Sequence, residues 1–123
     1  MNKLDIKMLV ESMTGITDIS TSGRTQFLSE ARYVYYGLCK RYLEPHIFTY
    51  RSVGECVNRD HASAIHGVKR FELFYDDKTW FGKYLYDLCV TKIETDNYLM
   101  RLRNRQLKKQ AKCMPSHFKI PKR

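Results

Sequence analysis

Apolar residues recur along this chain every three or four positions, and the sequence carries almost no strand signal. The first predicted helix runs from Lys3 to Thr14 and ends at Gly15. Its apolar face comprises Leu4, Met8, Leu9 and Met13. A polar connector rich in Ser, Thr and Gly follows and predicts a loop.

A longer amphipathic stretch predicts a second helix from about Leu28 to Leu43. Its apolar stripe comprises Leu28, Ala31, Tyr35, Leu38 and Tyr42. Pro45 stops the helix, because its ring removes a backbone donor and clashes with the preceding turn. Val34 and Cys39 widen this stripe.

Two further predicted helices are separated by a very short turn. The third runs from Tyr50 to Val57 with Thr49 as its N-cap, and the fourth runs from its N-cap Asp60 to about Tyr75. The core edge of the fourth helix is formed by Ile65, Val68 and either Phe71 or Glu72. This spacing is typical of a helix-turn-helix.

The last amphipathic stretch extends from about Asp77 to Lys109, and its apolar signal thins after Leu102. The residues expected to pack inward are Trp80, Phe81, Tyr84, Leu85, Leu88 and Ile93. We therefore predict an all-α chain with a helical domain at 1–95 and a basic helical extension and tail at 96–123.

Composition narrows the class of protein. The chain has 123 residues and 43% apolar residues, which suits one folded domain. No apolar run approaches the roughly 18 residues of a membrane span, and charges interrupt the N-terminus, so we expect neither a signal peptide nor an anchor. The four cysteines show no CxxC spacing, which favours reduced thiols in a cytoplasmic protein.

The net charge of +9 comes from the C-terminal end. Residues 1–100 contain 13 basic and 13 acidic residues, whereas residues 101–123 contain nine basic residues and none that is acidic. Such a block predicts a polyanionic partner, and the alternative is a solvated end without a partner. The predicted phosphate contacts of this segment are Arg101, Arg103, Arg105, Lys108 and Lys109.

The histidines near the helix-turn-helix do not form a metal site. His61 and His66 are five positions apart, and five residues rotate a helical side chain by about 140°. Asp60 and His61 are adjacent and point apart, so an acid–base pair is also disfavoured. No nucleophile motif or glycine-rich phosphate loop accompanies them. We expect no metal, no cofactor, no small-molecule substrate and no catalysis.

The first turn of the fourth helix instead carries short side chains that suit contact with base edges in a major groove. These residues are Asp60, His61, Ala62 and Ser63. Asp60 can accept from a cytosine amino group, and His61 can donate to a purine N7. Two turns later, Lys69 and Arg70 are expected to lie over phosphates.

The run from Tyr50 to His66 resembles the C-terminal DNA-binding domain of DnaA, the bacterial replication initiator. That family carries an Ile-Gly pair on its first helix and Arg-Asp-His-Thr-Thr-x-x-His at the start of its recognition helix. The matching residues here are Val53-Gly54, Arg59-Asp60-His61 and His66. Ala62-Ser63 replaces the paired threonines, and Tyr50-Arg51 replaces a Leu-Pro pair. The resemblance covers about residues 4–75.

The resemblance implies a DnaA C-terminal or Trp-repressor-like helix-turn-helix bundle that binds double-stranded DNA. It adds Tyr50 and Arg51 to the base contacts and places Arg24 in the minor groove. The phosphate contacts of this region become Arg32, Arg59, His66, Lys69 and Arg70. For two of these residues a structural role stays open as the alternative to a DNA contact. Arg59 can brace the turn through a salt bridge, and His66 can form a hydrogen bond with the backbone. The tyrosines of the second helix are expected to be packing residues.

Only about two dozen residues precede Arg24, so we expect a stand-alone domain without the family's ATPase module. The resemblance then implies a regulator or replication accessory factor of a phage or mobile element, at the nucleoid in the bacterial cytoplasm. The alternative is a virion or packaging component that uses the long helix and basic tail for assembly. Self-association or a protein partner through the C-terminal helix belongs to both hypotheses.

Overall fold

The computed structural model of the chain describes residues 1–23 and 25–113, and helices are the only regular secondary structure within these ranges. The helices are α1 (Lys3–Thr14), α2 (Gln26–Tyr42), α3 (Tyr50–Cys56), α4 (His61–Phe74) and α5 (Phe81–Cys113). The predicted all-α class is confirmed. No helix in this part of the chain combines the length and apolar character that a bilayer crossing requires. The chain divides into two compact units, Met1–Val90 and Thr91–Arg123.

Short-range capping sets the ends of the helices in the first unit. Each of α1 to α4 begins after a side chain that accepts a backbone N–H, and these caps are Asn2, Thr25, Thr49 and Asp60. Such a cap satisfies one of the N–H groups that lack a partner within the helix. At the other end of α1, Gly15 adopts a left-handed conformation with φ 76°. The predicted caps Thr49 and Asp60 and the predicted stop at Gly15 are confirmed.

Helix α2 lies at the centre of the first unit and packs against α1 and α4, while α3 packs against α4. Its predicted stripe is buried at Leu28, Ala31, Tyr35 and Leu38. The Tyr35 hydroxyl donates to the carbonyl oxygen of Val53 at 2.9 Å, which satisfies a buried polar group. The core therefore forms on the face that the periodicity predicts.

The predicted buried face of α1 is wrong. Leu4 and Met8 are 52% and 58% exposed, whereas Ile6 and Val10 are fully buried. Polar contacts on the inner side set this orientation. Lys3 Nζ donates to the Ser52 hydroxyl at 2.7 Å, and Lys7 pairs with Glu11 at 2.9 Å and Asp18 at 3.1 Å. The contacts of Lys3 with Ser52 and of Lys7 with Asp18 join α1 to other parts of the chain on the side that Ile6 and Val10 share.

The start of α5 matches its predicted face only in part, because Trp80 and Leu85 are buried as predicted. Phe81 and Tyr84 are exposed, whereas the buried residues are Trp80, Leu85, Tyr86 and Cys89. The Tyr86 ring packs against Phe71, with ring centroids 4.8 Å apart. The Trp80 indole donates to Glu30 Oε1 at 3.2 Å. Aromatic contacts with α4 and hydrogen bonds to α2 therefore orient this segment.

Two glycines allow α2 and α4 to cross closely. A Cβ atom on Gly37 would lie 2.6 Å from the Phe71 ring, and one on Gly67 would lie 2.2 Å from the Tyr36 ring. The Phe71 ring of α4 therefore packs against Gly37 of α2, and the Tyr36 ring of α2 packs against Gly67 of α4. This packing fixes the position of α4, which carries most of the predicted base contacts.

Candidate nucleic-acid interface

Helices α3 and α4 form a tight unit around Gly54. The Gly54 carbonyl oxygen accepts from Val57 N at 3.0 Å and from Arg59 N at 2.8 Å, and Asn58 turns the chain with φ 57°. A Cβ atom on Gly54 would lie 2.8 Å from the carbonyl oxygens of Arg59 and Asp60. The glycine therefore lets the beginning of α4 lie directly against α3.

The first turn of α4 is exposed at all four predicted base-contact positions, which are Asp60, His61, Ala62 and Ser63. Asp60 Oδ1 accepts from Ser63 N at 2.8 Å and so caps the helix. This bond to the Ser63 backbone is the main reason that the pKa of the Asp60 carboxyl lies below its usual value. The Asp60 carboxylate and the short side chains after it are therefore exposed to solvent at the capped N-terminus of α4.

The two predicted base contacts on α3 differ in exposure. The Arg51 side chain is exposed and pairs with Glu55 through a 3.2 Å contact one helical turn away. Tyr50 is half-buried, and its ring meets the edge of the Phe48 ring at a centroid distance of 5.3 Å. Arg51 is thus accessible to a ligand, whereas part of the Tyr50 ring packs within the protein.

Arg32 has a structural role in place of the expected phosphate contact. Its side chain is only 7% exposed. Its guanidinium donates to three loop carbonyl oxygens, those of Ile19 at 2.7 Å, Gly23 at 3.1 Å and Thr21. Loop carbonyls have no helical donors, and a guanidinium can satisfy several of them at once. Burial and the nearby charge of Arg59 lower the pKa of Arg32.

Arg59 connects this loop to the helix-turn-helix. Its guanidinium donates to Asn58 O at 2.9 Å and to Thr21 O at 2.8 Å. The Thr21 carbonyl therefore accepts from both Arg59 and Arg32. Arg59 therefore braces the turn, as the structural alternative to a phosphate contact predicted. It does so by donating to carbonyl oxygens and not through a salt bridge. Arg24, the predicted minor-groove residue, lies outside the described residues.

A cleft of about 380 Å³ opens beside the first turn of α4. The side chains from the α4 side are Arg59, Asp60, Ala62, Ser63 and His66, and those from α2 are Ser29, Arg32, Tyr33 and Tyr36. Ser29 was not among the predicted site residues, and Tyr33 and Tyr36 were expected only to pack. The available signal was their helical spacing, because Ser29 lies three and four residues before Arg32 and Tyr33, and Tyr36 follows these two by four and three. Burial raises the pKa of the Tyr36 hydroxyl to about 12.

The exposed side of α4 continues the polar surface beyond the first turn. His66, Lys69 and Arg70 are all exposed, and Arg70 Nε donates to His66 Nε2 at 3.3 Å. His66 therefore faces solvent and bonds to a side chain, and not to the backbone. Lys69 and Arg70 add two cations to the face that begins at Asp60.

The second unit carries the remaining predicted phosphate contacts on α5. All five are exposed, namely Arg101, Arg103, Arg105, Lys108 and Lys109. The basic tail that follows residue 113 lies outside the described residues. The described part of this unit thus offers a helix with a dense row of accessible cations.

Comparisons of the chain with protein-family models, with curated proteins and with solved structures find no match. The chemistry of the interface must therefore be inferred from its own residues.

Proposed function

We propose that this protein binds double-stranded DNA without catalysis, with α4 of its helix-turn-helix in the major groove. The observation that carries the proposal is the exposed first turn of α4, held against α3 by the close contact at Gly54. Short side chains at a helix N-terminus allow the backbone to approach base edges, and rigid support keeps their geometry. Asp60 supplies an acceptor for cytosine, and His61 supplies a donor for a purine.

Cations around this turn support the same orientation. Arg51 on α3 and Lys69 and Arg70 on α4 are exposed, as expected for residues that meet phosphates or base edges on either side of a groove. We propose that Arg24 enters the adjacent minor groove, as the resemblance to the DnaA domain implies. The Arg32 and Arg59 bonds hold the described part of the preceding loop, at Gly23 and Thr21.

The biological role that fits this activity is that of a regulator or replication accessory factor of a phage or mobile element. The second candidate is an assembly protein, and the exposed apolar side chains on α5 favour it. Selection from a random duplex pool with the full chain, followed by gel shifts, separates the two. A consensus sequence is the expected result, whereas binding without a consensus supports the assembly protein. If the chain binds no DNA at all, it is neither a regulator nor a replication accessory factor.

Substitutions of single base contacts should reduce specificity. We expect His61→Ala and Arg51→Ala each to weaken binding to the selected site by about 1–3 kcal/mol, with little change on random duplex. Fluorescence anisotropy on both duplexes measures this difference. His46→Ala is the matched control, because His46 is exposed and lies outside the interface. Equal losses on both duplexes would show that these residues contact only the backbone.

The cations of α5 should contribute to affinity without specificity. Replacing Arg101, Arg105 and Lys108 by alanine together should make the slope of log K against log salt less steep by about 2–3, because each phosphate contact contributes about 0.9. Titrations on random duplex from low to moderate salt measure the slope. A slope equal to that of the unchanged protein would exclude α5 from the DNA interface.

A further inference from the structure

Helix α5 presents an unpartnered apolar face in the second unit. Leu99, Met100 and Leu107 are 55%, 66% and 56% exposed. At about 100° per residue, these side chains fall on one arc of roughly 100° together with Asp96 and Arg103. An apolar row with a charge on the same face is typical of a helix that pairs with another helix.

The charges on this face show which kind of partner fits. Asp96 forms an exposed pair with Lys92 at 3.3 Å, and within the described residues no carboxylate pairs with Arg103. Asp96 and Arg103 are seven residues apart, or about 10 Å along the axis, so they do not reach each other within one helix. No acidic residue follows Asp96 in the sequence. A carboxylate from a second molecule would complement the charge of Arg103.

We propose that the partner is a second copy of this chain, packed antiparallel with its two-fold axis between Leu99 and Met100. Asp96 lies three residues before Leu99, and Arg103 lies three residues after Met100. In an antiparallel pair these positions are level, so each Asp96 faces the partner's Arg103. The two ion pairs flank a central contact of Leu99 with the partner's Met100.

The same charges disfavour the parallel, in-register arrangement. A parallel pair places each aspartate opposite an aspartate and each arginine opposite an arginine, and both contacts are repulsive. The antiparallel pair also leaves Arg101, Arg105 and Lys108 on the opposite side of the helix, about 130–170° from the paired face. These cations stay accessible, so self-association is compatible with DNA binding and does not depend on it.

Charge reversal tests the arrangement in the full chain without DNA. Sedimentation equilibrium should show a monomer–dimer equilibrium, and Asp96→Arg or Arg103→Asp alone should raise the dimer dissociation constant at least about tenfold. The double variant Asp96→Arg, Arg103→Asp exchanges the two charges and should restore dimerisation. Arg101→Asp is the matched control, because it makes the same charge change away from the paired face and should leave the dimer intact.

Three results would overturn the proposal. These are a monomer at all concentrations up to about 100 µM, a dimer that survives both single reversals, and a double variant that stays monomeric. Leu99 and Met100 are unchanged in every variant, so we expect α5 to stay helical. Circular dichroism of each variant checks this. No DNA is present in this experiment, so a failure of the dimer proposal does not affect the DNA-binding proposal. A failure to bind DNA likewise does not affect the dimer proposal.

Discussion

Replacing Arg32 by methionine should lower the free energy of unfolding of the first unit by about 3–5 kcal/mol. The change removes a guanidinium that donates to the carbonyls of Ile19, Thr21 and Gly23, and a bond to a charged group contributes about 1.5–3 kcal/mol. Water will compensate part of the loss on the outer side of the loop. Urea denaturation followed by the fluorescence of Trp80, the single tryptophan, measures the change in this unit.

Two variants make the result specific to the loop bonds. Arg51→Met removes the same side chain from an exposed pair and should change stability by no more than about 0.5 kcal/mol. Arg32→Lys keeps the charge but cannot span three carbonyls, so it should recover only part of the loss. If Arg32→Met costs as little as Arg51→Met, the loop does not depend on the guanidinium.

Gly54→Ala should destabilise the first unit by about 2–4 kcal/mol, although alanine favours helix by about 1 kcal/mol over glycine. The added methyl group would lie 2.8 Å from the carbonyl oxygens of Arg59 and Asp60. These are backbone atoms that cannot swing aside as a side chain can, so α4 must move away from α3. We expect the unfolding midpoint to fall and site-specific DNA affinity to fall with it.

Gly15→Ala provides the comparison, because no atom lies within 4 Å of the added methyl group and only the positive φ of 76° opposes it. It should cost about 1 kcal/mol and leave DNA affinity unchanged. If Gly54→Ala instead unfolds at a higher denaturant concentration than the unchanged protein, α3 and α4 are not in close contact. The close approach at Gly54 thereby gives this glycine a steric role that can be tested.

The helix ends could be predicted from the sequence because their causes are local. Thr49 and Asp60 each accept from a backbone N–H three residues later, and Gly15 ends α1 by its own conformation. The exposed first turn of α4 follows from the same logic, since an N-cap and polar neighbours disfavour burial there. These features involve neighbours within one helical turn.

The role of Arg32 could not be predicted in this way. Its acceptors are backbone carbonyls nine to thirteen residues earlier. Every residue has a backbone carbonyl, so the sequence does not indicate which ones accept a hydrogen bond. The contact of Arg59 with Thr21 spans 38 positions and is equally invisible to local pattern. The cleft beside α4 depends on these long-range bonds, so only the folded chain reveals it.

The sequence by itself determined the helices, the N-caps Thr49 and Asp60 and the stripe of α2, because each depends on residues within a few positions of one another. Only the tertiary structure decided which faces of α1 and α5 are buried. Both helices carry apolar residues on more than one side, so hydrophobicity alone does not select a face. The choice comes from distant contacts, of Lys3 with Ser52 and of Tyr86 with Phe71, which exist only once the helices have packed.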